Sequence, residues 1–132
     1  MIKFDVEKTV KYWHEGAEYD MDVADAMHEK KKYPYALFMG HLALEKLLKA
    51  LVVKVSLQHA PSYTHSLPLL AEKTQMKIPK KTIKSLARFM EFHFEARYPD
   101  EQKKFYKKCT EEFATRKMKE IREVYTWLKK RL

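Results

Sequence analysis

The chain has 132 residues, a length that suits a single domain with one hydrophobic core. Residues 1–132 are therefore treated as one domain. Apolar residues make up 45% of the chain, but it contains only two glycines and five prolines. Because hairpins depend on such turn-forming residues, the composition favours an all-helical protein over a sheet protein.

The cysteine count excludes two kinds of architecture. Cys109 is the single cysteine, so the chain forms neither an intramolecular disulfide nor a thiolate-rich metal cage. Its neighbours Lys107 and Lys108 favour a lowered thiol pKa, but no base lies beside it in the sequence, and we assign it no role. A signal-like start and an apolar run of about eighteen residues are both lacking. We therefore expect a cytoplasmic protein that does not enter a membrane.

Positive charge is concentrated in the C-terminal part of the chain, whose formal net charge is +9 overall. Residues 1–79 carry eleven Lys/Arg and ten Asp/Glu, whereas residues 80–132 carry sixteen and eight, a balance of +8. This asymmetry predicts a basic face that meets phosphates or an acidic partner. The alternative is a lysine-rich surface that contacts only water. Abundant lysine without asparagine is also typical of a hot-growing source organism, a thermophile.

Apolar periodicity predicts two long helices in the first half of the chain. The first, Val6–Glu29, repeats apolar residues at steps of three and four and is capped by Asp5. The second, about Pro34–Leu57, is apolar over more than half of its circumference. It is therefore predicted to be the central helix, followed by a loop over His59–Pro68.

Three further helices are predicted after this loop. The first is short, about Leu67–Thr74, with Ser66 or Thr64 as its cap. The next covers about Lys80–Ala96 and is ended by the proline that follows, because the residue before a proline disfavours helical backbone. The last covers about Thr110–Arg131, where apolar residues follow heptad-like steps.

One stretch of the second helix, residues 35–53, is nearly all apolar except for a row of ionisable side chains. His41, Glu45 and Lys49 recur every four residues and so lie along one face of the helix. Such a row is either a solvated edge or a polar site inside a bundle. It either faces a ligand cleft or supplies structural cross-links. In the second case Glu45 and Lys49 form a favourable ion pair.

Several motifs, in order along the chain, are similar to those of a known family. The segment His41-Leu-Ala-Leu-Glu-Lys-Leu-Leu-Lys-Ala50 resembles the signature helix of HEPN domains (higher eukaryotes and prokaryotes nucleotide-binding). Thr64-His-Ser-Leu67 and Ala96-Arg-Tyr-Pro-Asp100 resemble two further signatures of one prokaryotic branch of this family. The pattern from Trp13 to Ala24 is similar to its first helix. The resemblance covers nearly the whole chain.

The resemblance implies an all-α, up-and-down bundle of four long helices plus short helices, similar to the C-terminal helical domain of nucleotidyltransferases. It also implies a homodimer. Relatives are often encoded beside a minimal nucleotidyltransferase in two-gene, toxin–antitoxin-like systems. Some are metal-independent ribonuclease toxins, and others are non-catalytic partners or proposed nucleotide binders. We expect a nucleotide- or RNA-phosphate-binding partner of a minimal nucleotidyltransferase, with ribonuclease activity or non-catalytic RNA binding as alternatives.

The ribonuclease branch of the family carries an arginine followed at short spacing by a histidine, and Arg88 and His93 match this pattern. In such a pair the imidazole moves a proton while the guanidinium neutralises the developing phosphorane. On one continuous helix the two side chains would point about 140° apart, so their convergence would require a two-fold interface. The alternative is a surface pair between Arg88 and Glu91, with His93 half exposed.

The resemblance also points to polar residues that could hold a ligand. Arg97 offers a planar fork for phosphate or carboxylate, and Tyr98 offers a hydroxyl or a stacking ring. The candidate ligand-binding set, expected to share one cleft, is His41, Glu45, Lys49, His65, Arg97, Tyr98 and Asp100. In the structural alternative, Arg97 pairs with Glu45 or another acid and holds the end of the fourth helix against the second helix, and His65 satisfies loop carbonyls. Metal-binding histidine spacings and a glycine-rich phosphate loop are both lacking, so we expect no metal and no cofactor.

Overall fold

The structure is a computed structural model that describes residues 5–57 and 63–132. This part of the chain holds six α-helices, two 3₁₀ turns and no strand. The helices are α1 (Val6–Glu29), α2 (Tyr33–Ser56), α3 (Leu67–Lys73), α4 (Lys80–Phe89), α5 (Pro99–Lys108) and α6 (Glu111–Lys129), and the 3₁₀ turns are Met90–Phe92 and Phe94–Ala96. The predicted all-α class is confirmed. The predicted loop that begins at His59 lies partly outside the described residues.

Helix α1 begins and ends where the sequence predicts. The side chain of Asp5 accepts a hydrogen bond from the Lys8 N–H at 3.1 Å, which satisfies one of the free donors at the start of the helix. The chain then reverses through the lysine run, where Lys31 adopts a positive φ of 64°. Ala17 and Ala24 are fully buried. Their small side chains allow α1 to pack closely against α2, its main neighbour.

Helix α2 is the central helix, as predicted. It packs against α1, α3 and α6, and 14 of its 24 residues are buried. A Cβ added at Gly40 would lie 2.9 Å from Cδ1 of Ile121 in α6. The missing side chain of Gly40 therefore allows α6 to cross α2 at close range.

The predicted fourth helix is too long at its C-terminal end. Helix α4 ends at Phe89, and the chain continues to Ala96 as two 3₁₀ turns separated by His93, whose φ and ψ are −82° and 56°. Phe92 and Phe94 are both buried. On a continuous α-helix these two residues would lie about 160° apart, so the break in the helix allows both rings to enter one core.

Helix α5 lies where the sequence analysis predicts no helix. Pro99 ends the preceding segment as expected, but it also occupies the first turn of a new helix after the extended residue Tyr98. The first turn is acidic and the last turn is basic, which suits the helix dipole. Phe105 anchors the helix, because its ring lies 5.4 Å from that of Phe94 and 6.0 Å from that of Phe92 between centroids.

The remaining predicted helix boundaries agree with the structure to within about two residues. Helix α3 is capped by Ser66, which accepts from the Leu69 N–H at 3.3 Å. Helix α6 is capped by Thr110, which accepts from the Phe113 N–H at 3.2 Å. Within the described ranges, none of the helices is both long and apolar enough to cross a membrane.

Candidate functional site

The ionisable row of α2 lies inside the protein. His41, Glu45 and Lys49 are 0%, 5% and 8% exposed. The row is therefore part of the core and does not line an open cleft. An unpaired charge is costly to bury, so each charged group in the row needs a partner inside the protein.

Glu45 is the member of the row that contacts two other ionisable side chains. One carboxylate oxygen accepts a hydrogen bond from Lys49 Nζ at 3.0 Å, and the two oxygens lie 3.1 and 3.2 Å from Nδ1 of His65. The predicted pair of Glu45 with Lys49 is therefore present. Arg97 pairs with another acid, Glu101, and not with Glu45. His65, expected to satisfy loop carbonyls, contacts the Glu45 carboxylate instead. The Lys49 ammonium also lies 5.2 Å from the centroid of the Trp13 ring, a cation–π contact.

His41 is the least satisfied member of the row. Neither ring nitrogen has a hydrogen-bond partner among the described residues. Burial lowers the pKa of His41 from 6.5 to about 4; nearby Glu45 opposes this shift, while His93 and His65 reinforce it. His41 is therefore neutral near pH 7, as a buried imidazole without an acceptor must be.

The helix break after α4 brings a third histidine into the cluster. The His93 ring lies 5.2 Å from the rings of both His41 and His65, and 5.6 Å from that of Phe38, between centroids. Three histidines from different parts of the chain thus lie together: His93 contacts both His41 and His65, and His65 contacts Glu45. We name this set, with Glu45 and Lys49, the histidine cluster. Because neither ring nitrogen of His41 has a hydrogen-bond partner among the described residues, the contacts of His93 with His41 and His65 are ring contacts. The described residues also contain no group of three or more metal-ligating side chains suited to one ion.

Arg88 and His93, the candidate catalytic pair, make their contacts in different places. His93 belongs to the histidine cluster. Arg88 is exposed and donates to Ser85 Oγ at 3.2 Å. Its predicted surface pair with Glu91 is wrong, because Glu91 pairs with Lys108 at 2.8 Å.

Arg88 lines a surface cavity of about 310 Å³ around the ring of Phe113. Its other charged lining residues are Glu91, Lys108, Arg116 and Lys117. We name this cavity the Phe113 pocket. Part of this pocket can be predicted from the sequence, since Arg116 and Lys117 follow Phe113 at helical spacings of three and four. The positions of Arg88 and Lys108 beside Phe113 depend on how the helices pack and cannot be predicted from spacing.

The second signature segment lies at the surface. Arg97, Tyr98 and Asp100 are all exposed, and Arg97 Nη1 lies 3.4 Å from a carboxylate oxygen of Glu101. Arg97 also lines a cavity of about 430 Å³ with Glu101 and Lys104. None of the contacts of these three residues reaches the histidine cluster within the described ranges. The expected single cleft that joins the two groups is therefore absent from the described part of the protomer.

Cys109 differs from its sequence-based interpretation. It is buried at the end of α5. Burial raises the pKa of its thiol to about 12, and Glu91 reinforces this shift while Lys108 opposes it only weakly. The expected lowering by its basic neighbours is wrong, because desolvation outweighs them. The thiol is therefore protonated and unreactive near neutral pH.

The arrangement defines a class of protein: an all-helical bundle with a central apolar helix, a buried polar row on that helix and many exposed cations in residues 80–132. The HEPN domain family model matches residues 10–132. The chain therefore belongs to the HEPN family, and the sequence resemblance is confirmed.

The fold is also similar to that of a protein of known structure. TT1696 from Thermus thermophilus, known from a crystal structure, superposes with a TM-score of 0.76 at 18% sequence identity. The alignment covers 93% of this chain and 98% of that one. At this identity the likeness shows the fold alone. No curated protein matches the chain.

Proposed function

We propose that this HEPN protein is a non-catalytic, dimeric partner of a minimal nucleotidyltransferase in a two-gene, toxin–antitoxin-like system, and that it binds nucleotide or RNA phosphates through its C-terminal side. Membership of the HEPN family supports the class. The observation that carries the phosphate contact is the placement of the C-terminal cations. Fifteen of the sixteen Lys/Arg side chains in residues 80–132 are exposed, and Lys117 is partly buried.

Charge pairing explains why this surface favours an anion. The same segment carries eight acidic residues against sixteen cations. Asp25 and Glu18 of α1 pair with Arg122 and Lys129, which still leaves more cations than acids on this surface. Exposed cations keep most of their hydration and are free to meet a phosphate backbone, with release of bound counterions. The N-terminal part of the chain, at +1, offers no such surplus.

The partner role predicts a stable complex in solution. If the neighbouring gene encodes a minimal nucleotidyltransferase, the two purified proteins, mixed at micromolar concentration, should elute as one species from a sizing column with light-scattering detection. The chain alone should elute with the mass of a dimer. Two separate peaks for the mixture would exclude the partner role, and a monomer mass would exclude the dimer.

The phosphate contact predicts a steep salt dependence. Binding of a labelled single-stranded RNA should weaken strongly between low and high salt, since each neutralised phosphate adds about 0.7 to the logarithmic slope. An affinity that does not change with salt would exclude the basic surface as the binding face. RNA that stays intact during the titration would agree with a non-catalytic role.

A second candidate function, a metal-independent ribonuclease toxin, is favoured by the surroundings of His93. The objection that Arg88 and His93 point apart assumes one continuous helix, and α4 ends between them. The rings of His41 and His65 also lie 5.2 Å from that of His93, and Glu45 contacts His65, so His93 belongs to a polar cluster that includes a carboxylate. In this function a second copy of the chain supplies the arginine that faces the histidine.

The ribonuclease candidate has its own test. RNA cleavage should proceed in the presence of a metal chelator and should fall about 100-fold or more in Arg88→Ala and in His93→Ala. Lys103→Ala, which removes an exposed cation elsewhere, is the matched control. Cleavage that survives both substitutions would rule out this pair.

A further inference from the structure

The Phe113 pocket combines features that a general basic surface lacks. Three cations lie over one aromatic ring: Lys108 Nζ, Arg116 Cζ and Lys117 Nζ are 5.3, 5.7 and 5.9 Å from the Phe113 ring centroid. They come from the end of α5 and from two successive positions of α6. Arg88 adds a fourth cation from the last turn of α4.

The charges of this pocket are only partly neutralised. Glu91 pairs with Lys108 at 2.8 Å, and Glu120 pairs with Lys117 at 3.0 Å. Arg116 has no ion-pair or hydrogen-bond partner in the part of the chain that the structure describes. Four cations against these two acids leave a local charge of +2 in a concave site, where like charges repel one another.

The Phe113 ring limits what can bind here. The negative face of an aromatic ring attracts cations, and here it gathers the cationic groups that line the pocket. A nucleobase would have to displace them in order to stack. A compact polyanion, by contrast, would neutralise several of these cations at once and would need no reorganisation of the ring.

We propose that the Phe113 pocket binds a short chain of linked phosphates, through Arg88, Lys108, Arg116 and Lys117, and does not recognise a base. This inference rests on the proposed phosphate contact and assigns it to one site and one ligand class. Linked phosphates occur in nucleoside triphosphates and at the 5′-triphosphate end of RNA. Both sources share the chemistry that the pocket recognises.

Inorganic tripolyphosphate, titrated into the purified chain by calorimetry, tests the pocket directly. We expect Arg116→Gln to weaken binding about tenfold, because a charge-assisted contact is lost. Lys103→Gln removes one exposed cation of α5 outside the pocket and should leave binding unchanged. Phe113→Leu keeps all four cations but removes the ring, and should weaken binding a few-fold. Melting temperatures of the variants show whether each one is folded.

Two comparisons define the ligand. ATP should bind at least tenfold more tightly than AMP, and RNA with a 5′-triphosphate more tightly than the same RNA with a 5′-hydroxyl. If the affinity differs only between ATP and AMP, the source of the phosphates is a nucleotide. If it differs only between the two RNAs, the source is the 5′ end of an RNA. Equal binding within both pairs would overturn the assignment to linked phosphates.

The outcomes separate this inference from the proposed function. Equal weakening by Arg116→Gln and Lys103→Gln would overturn the pocket and leave a diffuse basic surface that binds RNA. The same holds if tripolyphosphate fails to bind while RNA binds with a steep salt dependence. If neither tripolyphosphate nor RNA binds, the proposed function itself is contradicted, because the chain then has no phosphate-binding surface.

Discussion

Glu45 and Glu91 are both carboxylates paired with a lysine, in very different surroundings. The Glu45–Lys49 pair has a distance of 3.0 Å, and its side chains are 6% and 10% exposed. The Glu91–Lys108 pair has a distance of 2.8 Å, and its side chains are 40% and 52% exposed. Distance alone therefore cannot rank the two interactions.

Hydration separates the two pairs. Removal of both charges of the buried pair from water carries a large penalty, which their mutual contact and those of Glu45 with His65 and of Lys49 with Trp13 offset. Loss of one partner therefore leaves an undercompensated charge in the core. The exposed pair loses little hydration when it forms and is worth little to stability. Its charges remain available to a ligand. The buried pair thus belongs to the fold, and the exposed pair belongs to the candidate binding surface.

The largest expected effect comes from breaking the buried pair. Glu45→Ala should lower the free energy of unfolding by about 3–5 kcal/mol, because Lys49 then stays buried without its carboxylate. The double variant Glu45→Met/Lys49→Met should recover most of this loss, since it buries no charge. Urea unfolding monitored by circular dichroism measures both. A single-variant loss below about 1 kcal/mol would show that the pair is hydrated in solution.

The next effect is the pH dependence of stability that His41 contributes. Its pKa is about 4 in the folded protein and 6.5 as the reference value. As pH falls below 6.5, the unfolded state takes up a proton that the folded state refuses, so stability is lost between pH 6.5 and about 4. The full contribution, lost below pH 4, is about 3.5 kcal/mol, at about 1.4 kcal/mol for each pKa unit, and about 3 kcal/mol of it is lost by pH 4.

His41→Leu isolates this contribution, because other carboxylates also titrate in acid. We expect the wild-type chain to lose about 3 kcal/mol more than this variant when unfolding is compared at pH 7 and at about pH 4. Parallel pH profiles for the two proteins would contradict the buried, neutral state of His41.

A smaller effect is expected where the core is tight but uncharged. Gly40→Ala places a Cβ 2.9 Å from Ile121 Cδ1 and should destabilise the protein by about 1–3 kcal/mol through overpacking. Gly16→Ala is the matched control. Its Cβ would lie 3.2 Å from Cδ of Lys46, which must shift slightly while its ammonium keeps the ion pair with Asp20. The higher helix propensity of alanine offsets this shift, so the stability should change by less than about 1 kcal/mol. Thermal unfolding of both variants measures the difference.

The buried pair and the exposed pair also differ in how far the sequence predicts them. Glu45 and Lys49 are one helical turn apart, so their pairing follows from spacing alone. His93 meets His41 only because α4 stops at Phe89, and this stop depends on the burial of Phe92 and Phe94 against other elements. Helical periodicity cannot anticipate such a break.

Two further differences have the same origin in tertiary packing. Pro99 reads as a helix stop, and the helix that it begins is held by the contact of Phe105 with Phe94, which local sequence does not encode. Lys107 and Lys108 predict a lowered pKa for Cys109, but the burial that raises it is known only from the fold. In each case the local signal is real and a long-range contact outweighs it.

The smallest expected effect on stability comes from the exposed Glu91–Lys108 pair. A substitution there tests directly whether this pair, unlike Glu45–Lys49, serves binding more than stability. Glu91→Gln should change the free energy of unfolding by less than about 0.5 kcal/mol, because an exposed ion pair contributes little. The same substitution removes the carboxylate that lines the Phe113 pocket and frees Lys108. Tripolyphosphate should therefore bind several-fold more tightly to Glu91→Gln than to the wild-type chain, as measured by calorimetry at low salt. Weaker binding with an intact fold would mean that Glu91 positions Lys108 for the ligand and does not compete with it.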